Sequence, residues 1–456
     1  MKKTFMILLA LAVACFMAAP AAFAADQLAL SGQMRVQYHA HDNTNGSYYG
    51  YNAGNGDDSY FKQRFRIGGV FTPAEGISTH FRVDLAEGEW GHGFNNSRWG
   101  WASAAEANEI GVDNAYLQVN KEMWKLKAGQ FWNGHGSYML WDELSTGIEL
   151  TIKLNPVNII LHYAKMDEGG ALTDEADGIP ASTVVATCCG GTMVGTVSTS
   201  AASTQDQDFI GAVIDYTHES FNLGLMYAQL MDQGPADDSP YGIGVYGSTK
   251  LGPVNFSGEL DFFGGEISSS NIDYIGTQFY LDANMQVLDN LLIGGQFLYA
   301  LGSDDPMDKQ RTAILQGDEG FNPFGWRGPF GWSYYPMGSA YGGGDFANVP
   351  NGGYPGYSAS MWDVGGESTG VVGGTVYADW QIIEPLQATF NLGYATPQED
   401  SFTAVDSFLT FGVTLDYRLA ERTSLQGGYF ISSPDFDDKS DDDAATYFLS
   451  QLQVNF

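Results

Sequence analysis

This sequence predicts an all-β fold: a closed, antiparallel transmembrane β-barrel of about 18 strands, with 16 as the alternative count. Three observations carry the prediction. Apolar and polar residues alternate with a period of two, in segments of about ten residues. The connections between these segments are alternately short and long. A secretory leader opens the chain, yet beyond it no apolar run reaches the about 18 residues that a membrane-crossing helix needs.

The leader spans residues 1–24: Lys2 and Lys3, an apolar run from Phe5 to Ala19, then Ala22-Phe23-Ala24 as a small-residue cleavage site. The exported chain then starts at Ala25, and residues 25–456 form a single barrel domain. Cleavage before Cys15, as in a lipoprotein, would leave the apolar stretch CFMAAPAAFA as the new N-terminus. Losing Lys2 and Lys3 moves the net charge from −34 to −36. Such a surface repels nucleic acid.

The first strand, 27–41, sets the pattern. Leu28, Leu30, Met34, Val36 and Tyr38 share one face; Gln27, Ser31, Gln33, Arg35, Gln37 and His39 share the other. One face meets lipid and the other water, and only closure satisfies every backbone group of such strands in lipid. The alternation returns at 60–71, 77–85, 114–119, 124–131, 148–154, 157–166, 209–216 and 221–230. It continues at 241–251, 254–263, 274–287, 291–301, 371–382, 386–394, 408–417, 425–431 and 447–456. The short connections PAEG, NKEM, NP, HES, LGP, LDN, IEP and RLAER fall on one side, predicted as periplasmic, and the long ones fall outside. The 58 glycines, 14% aromatic residues and only 20 Lys plus Arg suit a barrel with aromatic girdles. Cys188 and Cys189 are adjacent, so no disulfide framework follows.

The last strand ends Gln451-Leu452-Gln453-Val454-Asn455-Phe456, apolar at every second position. Bacterial barrels resemble one another in this ending, where it serves as the assembly signal. Phe456 is assigned that role here, with the barrel-assembly machinery as its partner.

Taken in order, LSGQMRVQYHAHDN, DSYFKQRFRIGGVF with its PAEG turn, VDNAYLQV, KAGQFW and the terminal QLQVNF resemble the homotrimeric outer-membrane porins of sulfate-reducing (Desulfovibrio-type) bacteria. The resemblance spans most of the exported chain. It implies a homotrimer of water-filled barrels, embedded in outer-membrane lipid and lipopolysaccharide, that admits small hydrophilic solutes and ions by passive diffusion.

In porins the third external loop folds inward. The candidate here is 133–146, carrying Asp142 and Glu143. The expected opposing wall is the first three strands, whose water-facing positions hold Arg35, Lys62, Arg64, Arg66, His80 and Arg82. The plain reading is a solvated pore wall. The sharper one is a constriction whose transverse field orients polar solutes and biases ion choice. If the basic ladder dominates, small anions pass preferentially despite the acidic exterior.

The connection 302–368 is longer than most loops and rich in aromatics, as in FNPFGWRGPFGWSYYP. It supports the alternative, a substrate-specific channel for a sugar, peptide or organic acid with this loop as binding element. The loop 167–207, rich in Thr, Ala and Ser, reads as a variable surface loop.

Acidic residues cluster at Asp57 and Asp58, Asp237 and Asp238, Asp304 and Asp305, and along 435–443. They are read as solvated charge. The weaker alternative is Ca²⁺ or Mg²⁺ bridging to lipopolysaccharide, with Asp437, Asp438, Asp441 and Asp442 as oxygen ligands. No resident cofactor is expected. GIGVYG fits a dinucleotide string but lies inside an alternating strand, and His39 with His41 lack a third metal ligand. No GxSxG occurs and no peptidoglycan-binding module follows the barrel, so neither an enzyme nor a tether is expected.

Overall fold

The computed structural model describes residues 27–42, 58–90, 111–167, 183–188, 191–196, 207–232, 239–267, 272–302, 309–310, 316–317, 371–396, 398–399, 405–436 and 444–456. Among the described residues, eighteen strands form one closed antiparallel barrel. They are β1 (Leu28–Asp42), β2 (Asp58–Ala74), β3 (Ile77–Glu89), β4 (Gly111–Asn120), β5 (Trp124–His135), β6 (Trp141–Lys153) and β7 (Val157–Asp167). Then come β8 (Gln207–Thr217), β9 (Phe221–Asp232), β10 (Tyr241–Leu251), β11 (Val254–Ile267), β12 (Ile272–Leu288) and β13 (Leu291–Ala300). The last five are β14 (Val371–Ile383), β15 (Leu386–Thr396), β16 (Val405–Ala420), β17 (Thr423–Phe436) and β18 (Ala445–Asn455). Thr183–Cys188 and Gly191–Thr196 pair with each other as a separate hairpin.

All eighteen expected strands are present, most of them longer than the alternation suggested: β2 runs 17 residues. Backbone pairing continues into the polar strand ends, beyond the point where lipid demands apolar side chains. Closure is by β18 on β1, from Gln33 opposite Asn455 to Asp42 opposite Thr446.

The two faces are those of a membrane barrel. Leu30, Leu225, Ile243, Val376, Phe411 and Leu452 point outward and are exposed. Their strand neighbours point inward: Gln37 is 1% exposed, Gln451 2% and Thr375 3%. Polar groups packed this way need partners. At the seam Gln426 Nε2 donates to Asp416 (3.1 Å), Gln451 Nε2 to Gln426 (2.7 Å) and Gln37 Nε2 to Gln451 (2.6 Å), so one amide chain crosses four strands.

The seam is finished on the lipid side. Gly32 N–H donates to the Phe456 carbonyl at 2.8 Å and Phe456 N–H to the Gly32 carbonyl at 3.0 Å. The Phe456 ring lies where a Cβ on residue 32 would be, against Phe65 at 6.2 Å.

Candidate functional site: the lumen wall and the third-loop hairpin

Arg35, Lys62, Arg64, Arg66, His80 and Arg82 lie on the inner face of β1–β3, as their alternation with outward residues such as Phe61 and Phe81 requires. Arg35 sits directly opposite Arg64. Like charges so placed repel, and the Arg64 guanidinium reaches along the wall to Gln33 Oε1 at 2.8 Å. The Lys62 ammonium lies over the Tyr60 ring at 5.2 Å. The His80 ring stacks on Tyr116 at 4.5 Å.

Two β-bulges then bring acids into the basic wall. Between β2 and β3 the register jumps from Phe65 opposite Ala86 to Arg66 opposite Asp84. Between β3 and β4 it jumps from Arg82 opposite Asn114 to Val83 opposite Val112, which leaves Asp113 as the extra residue. An extra residue re-aims side chains locally. Asp113 turns inward and accepts from Arg66 at 2.8 Å and Arg82 at 2.7 Å, while Asp84 takes a two-pronged bond from Arg66 at 2.6 and 2.8 Å.

Arg66 and Arg82 thus meet acids of their own wall, which the sequence did not predict. Asp142 and Glu143 lie on β6, their backbones opposite Gly134 and Asn133, and their side chains are outside the described part.

The basic wall also reaches further than β3. Lys125 and Lys127 on β5 face inward and share Glu149 of β6, at 3.4 and 3.2 Å. Lys127 lies over the Phe131 ring at 5.0 Å. The sequence reading passed over both, although WKLK sets them opposite Trp124 and Leu126.

The third connection is much shorter than 133–146, because β5 and β6 stay paired up to His135 opposite Trp141. Only residues 136–140 leave the ladder. This tip turns inward and lies along the inner wall. Gly136 (φ 65°) and Tyr138 (φ 64°) take left-handed backbone, routine for glycine and strained for tyrosine. Met139, Leu140 and Trp141 are fully buried. The Trp141 indole packs between His135 (4.8 Å), His162 (5.4 Å) and Phe209 of β8 (5.1 Å). It occupies the space a Cβ at Gly211 would take.

Beyond the indole the tip crosses to β11. Ser137 N–H and, at 3.0 Å, Leu140 N–H donate to the Glu259 carboxylate. Gln278 Nε2 of β12 reaches the Met139 carbonyl at 3.4 Å and Asp261 at 2.9 Å.

This far wall is acidic. Asp215 accepts from the Tyr246 hydroxyl, Asp282 from the Tyr377 hydroxyl (3.0 and 3.1 Å), and Asp379 from Thr389 (3.0 Å). With Glu259 and Asp261, carboxylates line the inner face from β8 to β14, across the lumen from the cations of β1–β5. Sequence alone offered no signal for which acids face which cations, since that depends on how the sheet closes.

The remaining residues singled out in the sequence are described only in part. The His39 ring hydrogen-bonds the Tyr447 hydroxyl and stacks on Tyr60 at 4.8 Å; the side chain of His41 lies outside the described residues. Among the described residues no group of three or more His, Cys, Asp or Glu could hold a metal. Asp57, Asp237, Asp238, Asp304, Asp305, Asp437, Asp438, Asp441 and Asp442 fall outside them. Of the loop 302–368, Gln316 and Gly317 run parallel to Trp141 and Asp142, and Lys309 and Gln310 parallel to Asp273 and Tyr274. The rest is outside the described residues, apart from Gly302.

No protein-family model and no curated protein matches this chain. Solved structures do. OccK9 (OpdG) of Pseudomonas aeruginosa is 10% identical, with 94% of this chain and 99% of that one covered, at a TM-score of 0.57. OccAB1 of Acinetobacter baumannii is also 10% identical, covering 95% and 97%, at 0.55. A BenF-like porin from Pseudomonas fluorescens Pf-5 is 13% identical, covering 95% and 100%, at 0.54. At such identities the likeness is one of fold: a barrel of similar extent, matched over nearly its whole length.

Proposed function

We propose that this chain is an outer-membrane porin: a water-filled channel through which small hydrophilic solutes and ions diffuse passively, narrowed by its infolded third loop. The observation that carries the reading is the division of lumen charge. Arg35, Lys62, Arg64, Arg66, Arg82, Lys125 and Lys127 line one side, and Asp215, Asp282 and Asp379 the other, with Glu259 and Asp261 beneath the tip. Opposed rings of charge create a transverse field that orients polar solutes. A solved porin of similar extent supports the class.

The preferred ion is an anion. The tip covers Glu259 and Asp261, whereas Arg66 and Arg82 keep part of their surface in the lumen. Asp142 and Glu143 add to the acidic side in this reading. The test is the reversal potential across a planar bilayer in a KCl gradient. Anion preference that weakens in Arg64→Glu and Arg66→Glu supports the filter; cation preference unmoved by both refutes it.

A second reading, a substrate-specific channel, is favoured by one observation: Gln316 and Gly317 of the aromatic-rich loop pair with the base of the infolded hairpin. Saturable block of single-channel current by one sugar, peptide or organic acid would establish it. A strictly linear response discards it. Both readings place the exported chain, freed of residues 1–24, in the outer membrane as a homotrimer, with lipopolysaccharide around the long loops. Three equal current steps per insertion would bear out the trimer.

A further inference from the structure

The tip of the β5–β6 hairpin is seated on Glu259 and Asp261. Glu259 accepts two tip amides, from Ser137 and Leu140, and is 2% exposed. Asp261 is fully buried: one oxygen accepts from Gln278, which also holds the Met139 carbonyl, and the other has no hydrogen-bond partner. That second oxygen faces Gly244 and the Met226 side chain, not water.

Nothing in this packing serves the membrane face. Both carboxylates project from the inner side of β11, as does their neighbour Phe263, while Phe262 points out to lipid. Without the tip they would stand in the lumen like any wall residue of a water-filled barrel. The tip is held by the Trp141 indole over Gly211, by the buried Met139 and Leu140 side chains, and by the Glu259 carboxylate.

Resting on the channel reading above, we infer that the hairpin tip is a cover over these two carboxylates, so that its seating sets the ion preference of the pore. Seated, it keeps both carboxyl groups from water and leaves the basic wall to act on permeating ions. Displaced, it widens the lumen, and both stand in water as carboxylates. Two charges acting on an ion across about 7 Å of water, screened over one Debye length, change the cation-to-anion permeability ratio about fivefold.

The experiment displaces the tip without touching the carboxylates. Gly211→Leu overfills the space of the indole; Trp141→Ala empties it, and so keeps the test open if the first variant does not assemble. Expected in either background are a larger unitary conductance and a K⁺-to-Cl⁻ permeability ratio raised about fivefold. Adding Glu259→Gln and Asp261→Asn should abolish the selectivity shift and leave the conductance gain. A conductance gain with unchanged selectivity, or a shift that survives both neutralisations, overturns the cover.

An independent readout needs no current. With Cys188 and Cys189 replaced by serine, Asp261→Cys in proteoliposomes should resist a charged, membrane-impermeant thiol reagent while the tip is seated and react once Trp141→Ala is added. Equal labelling in both overturns the inference. Were no variant, nor the parent protein, to conduct, the porin reading would fall while this labelling still decided the cover.

Discussion

Asp113→Asn tests how the wall balances its charges. The carboxylate is buried between two guanidiniums, with Arg66 at 2.8 Å and Arg82 at 2.7 Å. Replacing it keeps size and removes one negative charge from a wall that also holds Asp84 and Glu149. An ion about 7 Å away interacts with that charge by about 0.6 kcal/mol in water, and screening leaves about 0.25 kcal/mol. The cation loses this attraction and the anion loses an equal repulsion, so their difference moves by about 0.5 kcal/mol, or roughly twofold towards anions. Stability falls as well. Both arginines bond the same carboxylate oxygen, so an amide oxygen can still accept from them but without its charge, and with the arginines partly exposed the loss is about 1–3 kcal/mol. Reversal potential reads the first effect, and urea unfolding in lipid vesicles the second. An unchanged reversal potential, or a shift towards cations, would refute the claim that Asp113 tempers the basic wall.

Three further outcomes are expected. Glu149→Gln leaves Lys125 and Lys127 without their shared carboxylate and should also move selectivity towards anions, about twofold by the same arithmetic; the KCl-gradient potential checks it. Val376→Arg places a charge on the lipid face and should lower the unfolding free energy by about 2–4 kcal/mol if position 376 lies near the bilayer midplane, falling towards nothing at the interface, as measured by urea titration. Tyr138→Gly relieves left-handed backbone at the tip and should stabilise the folded barrel by about 1 kcal/mol; an unchanged or lower unfolding midpoint would contradict it.

The strands were legible because lipid outside and water inside impose a period of two on every one of them. That logic placed Arg35, Lys62, Arg64, Arg66, His80 and Arg82 on the inner face, and it would have placed Lys125 and Lys127 there too. The end of the third hairpin was not legible. Around Gly134 and Gly136 the alternation fades while the backbone ladder continues, so the loop read as 133–146 where only 136–140 leaves the ladder. Asp113 was hidden for a different reason: a bulge shifts the phase by one residue, and a strict count assigns the wrong face. Glu259 could not be found at all from spacing, because its tip partners lie 122 and 119 residues away.

The amides at the seam do not by themselves fix where the last strand stops. Gln451 and Gln453 are two residues apart, and a slip of two would set Gln37 against Gln453 with the same donors and acceptors and the same faces in and out. What forbids that slip is Phe456. Its ring needs a bare position on the outer face of β1; at Gly32 it finds one, whereas two residues either way it would land on Leu30 or Met34. The C-terminal aromatic thus works as a vernier, reading the alignment of first strand against last to a single residue pair.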